Sequence, residues 1–249
     1  MTPTPLSIAE AGTGRSVLVL HGGGGPFTVT PIAAHLAESM HTLTPVHPGW
    51  NGTERPESLR TVADLAAAYL VYLAENELTD VLVIGSSLGG WIGSEMLVHD
   101  TAGRITALVL IDAAGVEVEG EPMRDFFTLD ARGVAEYSFH DSEKFYRDPA
   151  TIPAEQAAAQ RANMVTMQSY GGYDLKDAAL LGRLGETDVP VLVLWGESDR
   201  IVTPAYGAAF AAGFRNSRFA VVPEAGHLPQ LEQPAATFAA IDEFVTAGR

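Results

Sequence analysis

Residues 81–97 read Val-Leu-Val-Ile-Gly-Ser-Ser-Leu-Gly-Gly-Trp-Ile-Gly-Ser-Glu-Met-Leu, an apolar run that enters Gly85-x-Ser87-x-Gly89 and leaves with helical character. A strand-to-helix turn this sharp holds its central residue in a strained conformation, and small residues two positions to either side permit the close approach. Gly85 and Gly89 single out Ser87, because centring on Ser86 would put Ile84 and Leu88 where small residues are required. The chemistry implied is attack by a serine hydroxyl, which needs a base to take its proton and a carboxylate to orient that base. His227, in Glu224-Ala-Gly226-His227 just after the last apolar run, is placed where a loop brings it over the strand ends. Position leaves the carboxylate open among Asp199, closing Trp195-Gly-Glu-Ser-Asp199, its neighbour Glu197, Asp112 after the preceding run, and Glu224.

Other chemistries lack their residues. Neither His21-Gly-Gly-Gly-Gly25 nor Gly85-Ser-Ser-Leu-Gly-Gly90 fits GxGxxG, and the run after the first ends at Val46-His47 without the acid that would grip a ribose. No glycine-rich segment ends in Gly-Lys-Ser/Thr. The absence of cysteine removes thiolate nucleophiles, thiolate zinc sites and disulfides together. There is no HExxH, and His35, His41, His99 and His140 show no ligand spacing, so neither metal nor organic cofactor is expected.

With 15 basic against 31 acidic residues the formal charge is −16, and the lysines are Lys144 and Lys176 alone, which excludes the basic surface that grips nucleic acid or anionic membranes. No stretch of about 18 apolar residues is present, and the first residues lack the pattern of a secretory leader, so the expected location is the cytoplasm. The expected partners are a small-molecule ester-like substrate and water; oligomeric state leaves no mark on the sequence.

These residues need a scaffold, and the chain alternates short β-branched runs with longer segments of helical period, the pattern of βα units around a mainly parallel sheet. Residues 16–20, 42–46, 81–84, 107–111, 191–195 and 219–222 are the predicted strands, with 6–9 as a leading edge strand. Most are apolar at nearly every position, as strands covered on both faces require. Thr61 and Asp64 open a predicted helix over 62–78, Thr203-Pro204 opens the one containing 208–214, and a last helix spans about 235–245. Residues 117–187 break the alternation with helical periodicity alone, and far exceed an ordinary connection of about 2–6 residues. They predict a helical cap, 117–187, on a core domain of 1–116 and 188–249.

The order Ser87, Asp199, His227, the glycine-rich loop at His21 and the turn His47-Pro-Gly-Trp-Asn-Gly52 resemble the α/β-hydrolase fold superfamily over essentially the whole chain. The resemblance implies an α/β fold with helices on both faces of a mainly parallel sheet and a cap inserted after the family's sixth strand. It implies Asp199 as the acid, since members carry it after the strand matching 191–195, and leaves Asp112 a structural role. It places the oxyanion donors on the backbone N–H groups of Gly23 and Leu88, with Gly24 as a substitute, and makes His21 a structural brace for that loop.

Serine in place of an aspartate nucleophile favours acyl chemistry. Met123, Phe126, Phe127, Tyr137 and Met164, with Met167, are the candidate pocket lining, which suits small, mainly apolar esters or lactones. The alternative is carbon–carbon hydrolysis of ring-cleavage products, whose enzymes the chain resembles incompletely: Leu228 follows His227, and Ser86 precedes the nucleophile. The overall negative charge weighs slightly against those dianionic substrates. The further rivals are a ligand receptor that keeps the triad and an acyltransferase.

Overall fold

In a computed structural model that describes residues 6–247, nine strands form: β1 (Ser7–Ala11), β2 (Ser16–Leu20), β3 (His41–Val46), β4 (Val81–Ser86), β5 (Ile105–Ile111), β6 (Gly115–Val116), β7 (Lys176–Asp177), β8 (Val191–Gly196) and β9 (Ser217–Val222). Residues 1–5, on which the leader reading and the start of the predicted core domain rest, and residues 248–249 lie outside the described residues. Seven strands make one sheet in the order β1-β3-β2-β4-β5-β8-β9, parallel except for β1 against β3. Every residue of β4 and β8 is buried, as their unbroken apolar sequences require.

Alternation divides the core between the two faces of the sheet. Leu18, Leu20, Val83, Leu108, Leu110 and Val193 join one cluster, while Val17, Val19, Leu82, Ile84, Val109, Leu192 and Leu194 join the other. The helices are α1 (Thr30–Leu36), α2 (Val62–Glu75), α3 (Leu88–His99), α4 (Ala131–Ser138), α5 (Ser142–Phe145), α6 (Ala154–Gly171), α7 (Leu180–Arg183), α8 (Pro204–Ala212), α9 (Pro229–Glu232) and α10 (Pro234–Ala247). Helices α2, α3 and α8 cover the first face, and α1 and α10 the second. None among the described residues is long and apolar enough to cross a membrane.

Helix α2 begins as the sequence indicates: Asp64 N–H donates to Thr61 Oγ1 at 3.1 Å, and Thr61 N–H to Asp64 Oδ2 at 2.9 Å. It stops at Glu75 and not at 78, because Glu77 turns to φ 54°. Thr203 caps α8 through Tyr206 N–H, with Pro204 in the first turn.

Between β5 and β8 the chain forms α4 to α7 and one element the sequence did not suggest. The two-residue strands β6 and β7 pair in parallel, Gly115 with Lys176 and Val116 with Asp177. Two residues are too few for a periodic signal. Helix α6 is tied to the turn that follows β3: Asn163 holds Asn51 through two hydrogen bonds, and Thr166 Oγ1 donates to Gly49 O.

Candidate active site

Ser87 occupies the turn between β4 and α3 at φ 54°, ψ −118°. Its N–H donates to Ile111 O, and its carbonyl accepts from Gly90 and Ala114 N–H, so the strained turn is fixed to the end of β5. The glycines permit contact that no other residue allows. A Cβ on Gly85 would lie 2.2 Å from Gly89 O, and one on Gly89 would lie 2.2 Å from Leu20 O.

His227 is carried by the loop between β9 and α9. Its Nε2 lies 3.0 Å from Ser87 Oγ and its Nδ1 2.8 Å from Asp199 Oδ2. A carboxylate only accepts, so the network assigns the proton of the neutral ring to Nδ1 and leaves Nε2 to accept from the serine hydroxyl. Asp199 is 2% exposed, and its Oδ1 accepts from Ile201 and Val202 N–H at 2.8 and 3.2 Å. The two loops touch directly, since a Cβ on Gly196 would lie 1.9 Å from Gly226 O.

The inserted segment reaches these loops. His227 N–H donates to Ser138 O at 2.6 Å and Arg200 N–H to Tyr137 O at 3.0 Å, both at the end of α4. Glu232 accepts from Gly226 N–H at 2.5 Å through Oε2 and from His140 N–H at 3.0 Å through Oε1. It therefore ties the histidine loop to the inserted segment.

The glycine loop after β2 lies against the serine: a Cβ on Gly22 would meet Ser87 Cβ at 2.9 Å. Gly22 O accepts from His21 Nδ1 at 2.7 Å and from Gly25 N–H at 3.1 Å, and Gly23 O from Trp50 Nε1 at 3.0 Å. Because N–H and C=O of a trans peptide point in opposite directions, these bonds fix the N–H groups of Gly23 and Gly24. Among the described residues, Gly23, Gly24 and Leu88 N–H have no backbone acceptor. They are donors held in place and uncommitted, as stabilisation of an oxyanion requires.

His21 and His47 sit behind this loop, fully buried, their rings 3.7 Å apart. Burial pushes His21 down to about 4 and, with the neighbouring His21 ring, drives His47 well below the usual imidazole range. His47 N–H donates to His21 Nε2, His47 Nε2 donates to His21 O, and Tyr69 O–H donates to His47 Nδ1 at 2.5 Å. Sequence reasoning placed His21 as a brace but missed His47, Tyr69 and Trp50. The available signal was Tyr69, whose hydroxyl needs a partner on an otherwise apolar helical stripe.

Among the candidate lining residues, Met123 faces a groove of about 740 Å³ that runs along residues 116–125 and 173–176, and none of Ser87, Asp199 and His227 lines it. Phe126, Phe127 and Met164 are half-buried against the main core cluster, and Tyr137 stacks under the Arg124 guanidinium. The methionine at the reacting end is Met167, whose Sδ would lie 2.2 Å from a Cβ on Gly23.

Asp112 also belongs to this region, its Oδ1 accepting Gly196 N–H at 2.9 Å. Ligand atoms of Asp112, Asp199 and His227 lie within 4.8 Å of one another. Within this cluster Asp199 Oδ2 and His227 Nδ1 are committed to each other.

Compared with known families, residues 17–241 match the model of the alpha/beta hydrolase family. A curated relative, 2-hydroxy-6-oxononadienedioate/2-hydroxy-6-oxononatrienedioate hydrolase 1 of Pseudomonas putida, is 23% identical over 90% of this chain and 85% of its own length. Lipase 3 of a Moraxella species is 26% identical over 88% of this chain and 74% of its own. Among solved structures, a thermophilic esterase from Thermogutta terrifontis superposes with a TM-score of 0.79 at 22% identity, covering 98% of this chain and 93% of that one.

Proposed function

The chain belongs to the alpha/beta hydrolase family, and from that premise we propose that it is a serine hydrolase of small, mainly apolar esters or lactones acting through an acyl-enzyme on Ser87. One observation carries the reading: His227 bridges the strained Ser87 at 3.0 Å and the buried Asp199 at 2.8 Å. Ser87 Oγ attacks the acyl carbon while His227 Nε2 takes its proton, and Asp199 stabilises the imidazolium. Gly23 and Leu88 N–H, with Gly24 as a substitute, hold the developing oxyanion. His227 then returns the proton to the leaving alkoxide, and a water activated by the same nitrogen releases the acid. Residues 117–187 serve as the cap, with Met167 over the oxyanion loop and Met123, Phe126, Phe127, Tyr137 and Met164 as further candidates for lining.

The Pseudomonas relative gives carbon–carbon hydrolysis of dienedioates a specific claim as the second reading. The chain's formal charge of −16 disfavours the approach of a dianion in general. A fluorophosphonate probe tests the nucleophile: a covalent adduct on Ser87, absent in Ser87→Ala, supports it, and no adduct at high probe concentration refutes it. A panel of p-nitrophenyl esters of rising chain length, run beside a ring-cleavage dienoate, decides the substrate class.

A further inference from the structure

Asp112 has a place in the site that the serine relay does not use. It follows β5 directly at φ 45°, a left-handed conformation that a non-glycine residue keeps only where its surroundings enforce it. The residue is fully buried, Oδ1 accepts from Gly196 N–H, and the equally buried Oδ2 has no donor among the described residues. What it faces is a second carboxyl. Asp199 already accepts three hydrogen bonds, from Ile201, Val202 and His227, the donor set of an ionised carboxylate. Were Asp112 ionised as well, two negative charges would share one interior site, one of them with an oxygen lacking any donor. A proton on Oδ2 removes both difficulties at once.

We propose that Asp112 is a carboxylic acid in the resting protein and donates Oδ2–H to the Asp199 carboxylate, a one-proton pair that sets the basicity of His227. Asp112 is then a positioning residue acting through Asp199, and this role rests on the relay reading of Ser87, His227 and Asp199. The titratable groups facing it are Asp199, His227 and Glu232. Burial first, then the Asp199 charge, raises its carboxyl well above the usual range, against a smaller opposing pull from Gly196 N–H. The consequence for catalysis is direct. A second full charge in this cluster, whose ligand atoms all lie within 4.8 Å of one another, would favour the imidazolium over the free base that attack on the serine proton requires.

The test compares Asp112→Asn, whose amide reproduces the protonated acid's donor and acceptor, with Asp112→Ala, which removes both. In infrared difference spectra at neutral pH, the wild type shows the carbonyl stretch of a protonated buried carboxyl that Asp112→Asn lacks. In p-nitrophenyl ester hydrolysis, the acid limb of kcat/KM moves upward by about half a pH unit or more in Asp112→Ala, and Asp112→Asn restores it to within a few tenths. No protonated-carboxyl band assignable to Asp112, or an acid limb that drops by about one unit or more in Asp112→Asn, overturns the proposal. If Asp112→Ala fails to fold, Asp112→Asn and the infrared band decide. If the protein neither labels with fluorophosphonate nor turns over esters, the relay reading has failed, and the infrared band still reports whether Asp112 carries the proton.

Discussion

Acidification should destabilise this protein through the buried histidines behind the glycine loop. His21 is fully buried with its pKa pushed down to about 4, and both ring nitrogens are in use: Nδ1 donates to Gly22 O, and Nε2 accepts from His47 N–H. Protonating Nε2 would set two N–H groups against each other. Above about pH 6.5 the imidazole is neutral both folded and unfolded, and its contribution to stability is complete. Between about pH 6.5 and 4 the unfolded chain takes up a proton that the folded one refuses, so stability falls with pH by roughly 3 kcal/mol from His21 alone. That is a large share of an ordinary domain's roughly 5–15 kcal/mol, and His47, also depressed, adds to the same loss. Urea unfolding at several values between about pH 7.5 and 4 measures it, with His21→Gln as the variant that cannot titrate. The variant starts less stable, and the gap to wild type closes by roughly 3 kcal/mol across the window. Parallel curves refute the reasoning, and so does an imidazole titration by nuclear magnetic resonance that places His21 near its ordinary value.

Asp199→Asn should lower kcat for a p-nitrophenyl ester by about 10⁴-fold, since an amide no longer fixes the proton on His227 Nδ1; a loss below about tenfold would show that the orienting acid lies elsewhere. Gly23→Ala places a methyl on Met167 Sδ, so its activity should fall and be partly recovered by adding Met167→Ala; steady-state kinetics of the two single variants and the double variant check this. Trp50→Phe removes the donor to Gly23 O and should cost up to about tenfold in kcat, the worth of one hydrogen bond of roughly 0.5–1.5 kcal/mol, with KM little changed and the thermal midpoint measured alongside.

The central strands were legible because burial on both faces writes itself as uninterrupted Val, Leu and Ile. Ser87 and His227 were legible because each follows such a run, where only the local order strand, glycine, reactive residue needs to be read, whereas Asp199 stood apart from Glu197, Asp112 and Glu224 only through the family resemblance. The limits of α2 and the β6–β7 pair were not, since a left-handed Glu77 and a two-residue ladder leave no periodic trace. The braces were hidden for another reason. Trp50 to Gly23, Tyr69 to His47 and Glu232 to His140 each join elements remote in sequence, and nothing local in either partner announces the other.

Asp112 shows how one step of tertiary structure converts an ambiguous residue into a placed one. Sequence left it as a rival to Asp199, two acids each closing an apolar strand. The register of β5 on β8 pairs Ile111 with Leu194, so the next residue of β5 reaches the point where β8 ends: Asp112 N–H donates to Leu194 O, and its carboxyl takes Gly196 N–H. Asp199 lies further along the loop after β8, with its second oxygen turned to His227. The parallel register thus brings both acids to one place but gives only one of them a hydrogen bond to the histidine. What separates the two is the set of donors each oxygen meets, three N–H groups for Asp199 and a single one for Asp112. Because N–H donors favour the charged form and burial without them disfavours it, the acid with one donor is the one we propose keeps its proton, a distinction that composition and spacing could not carry.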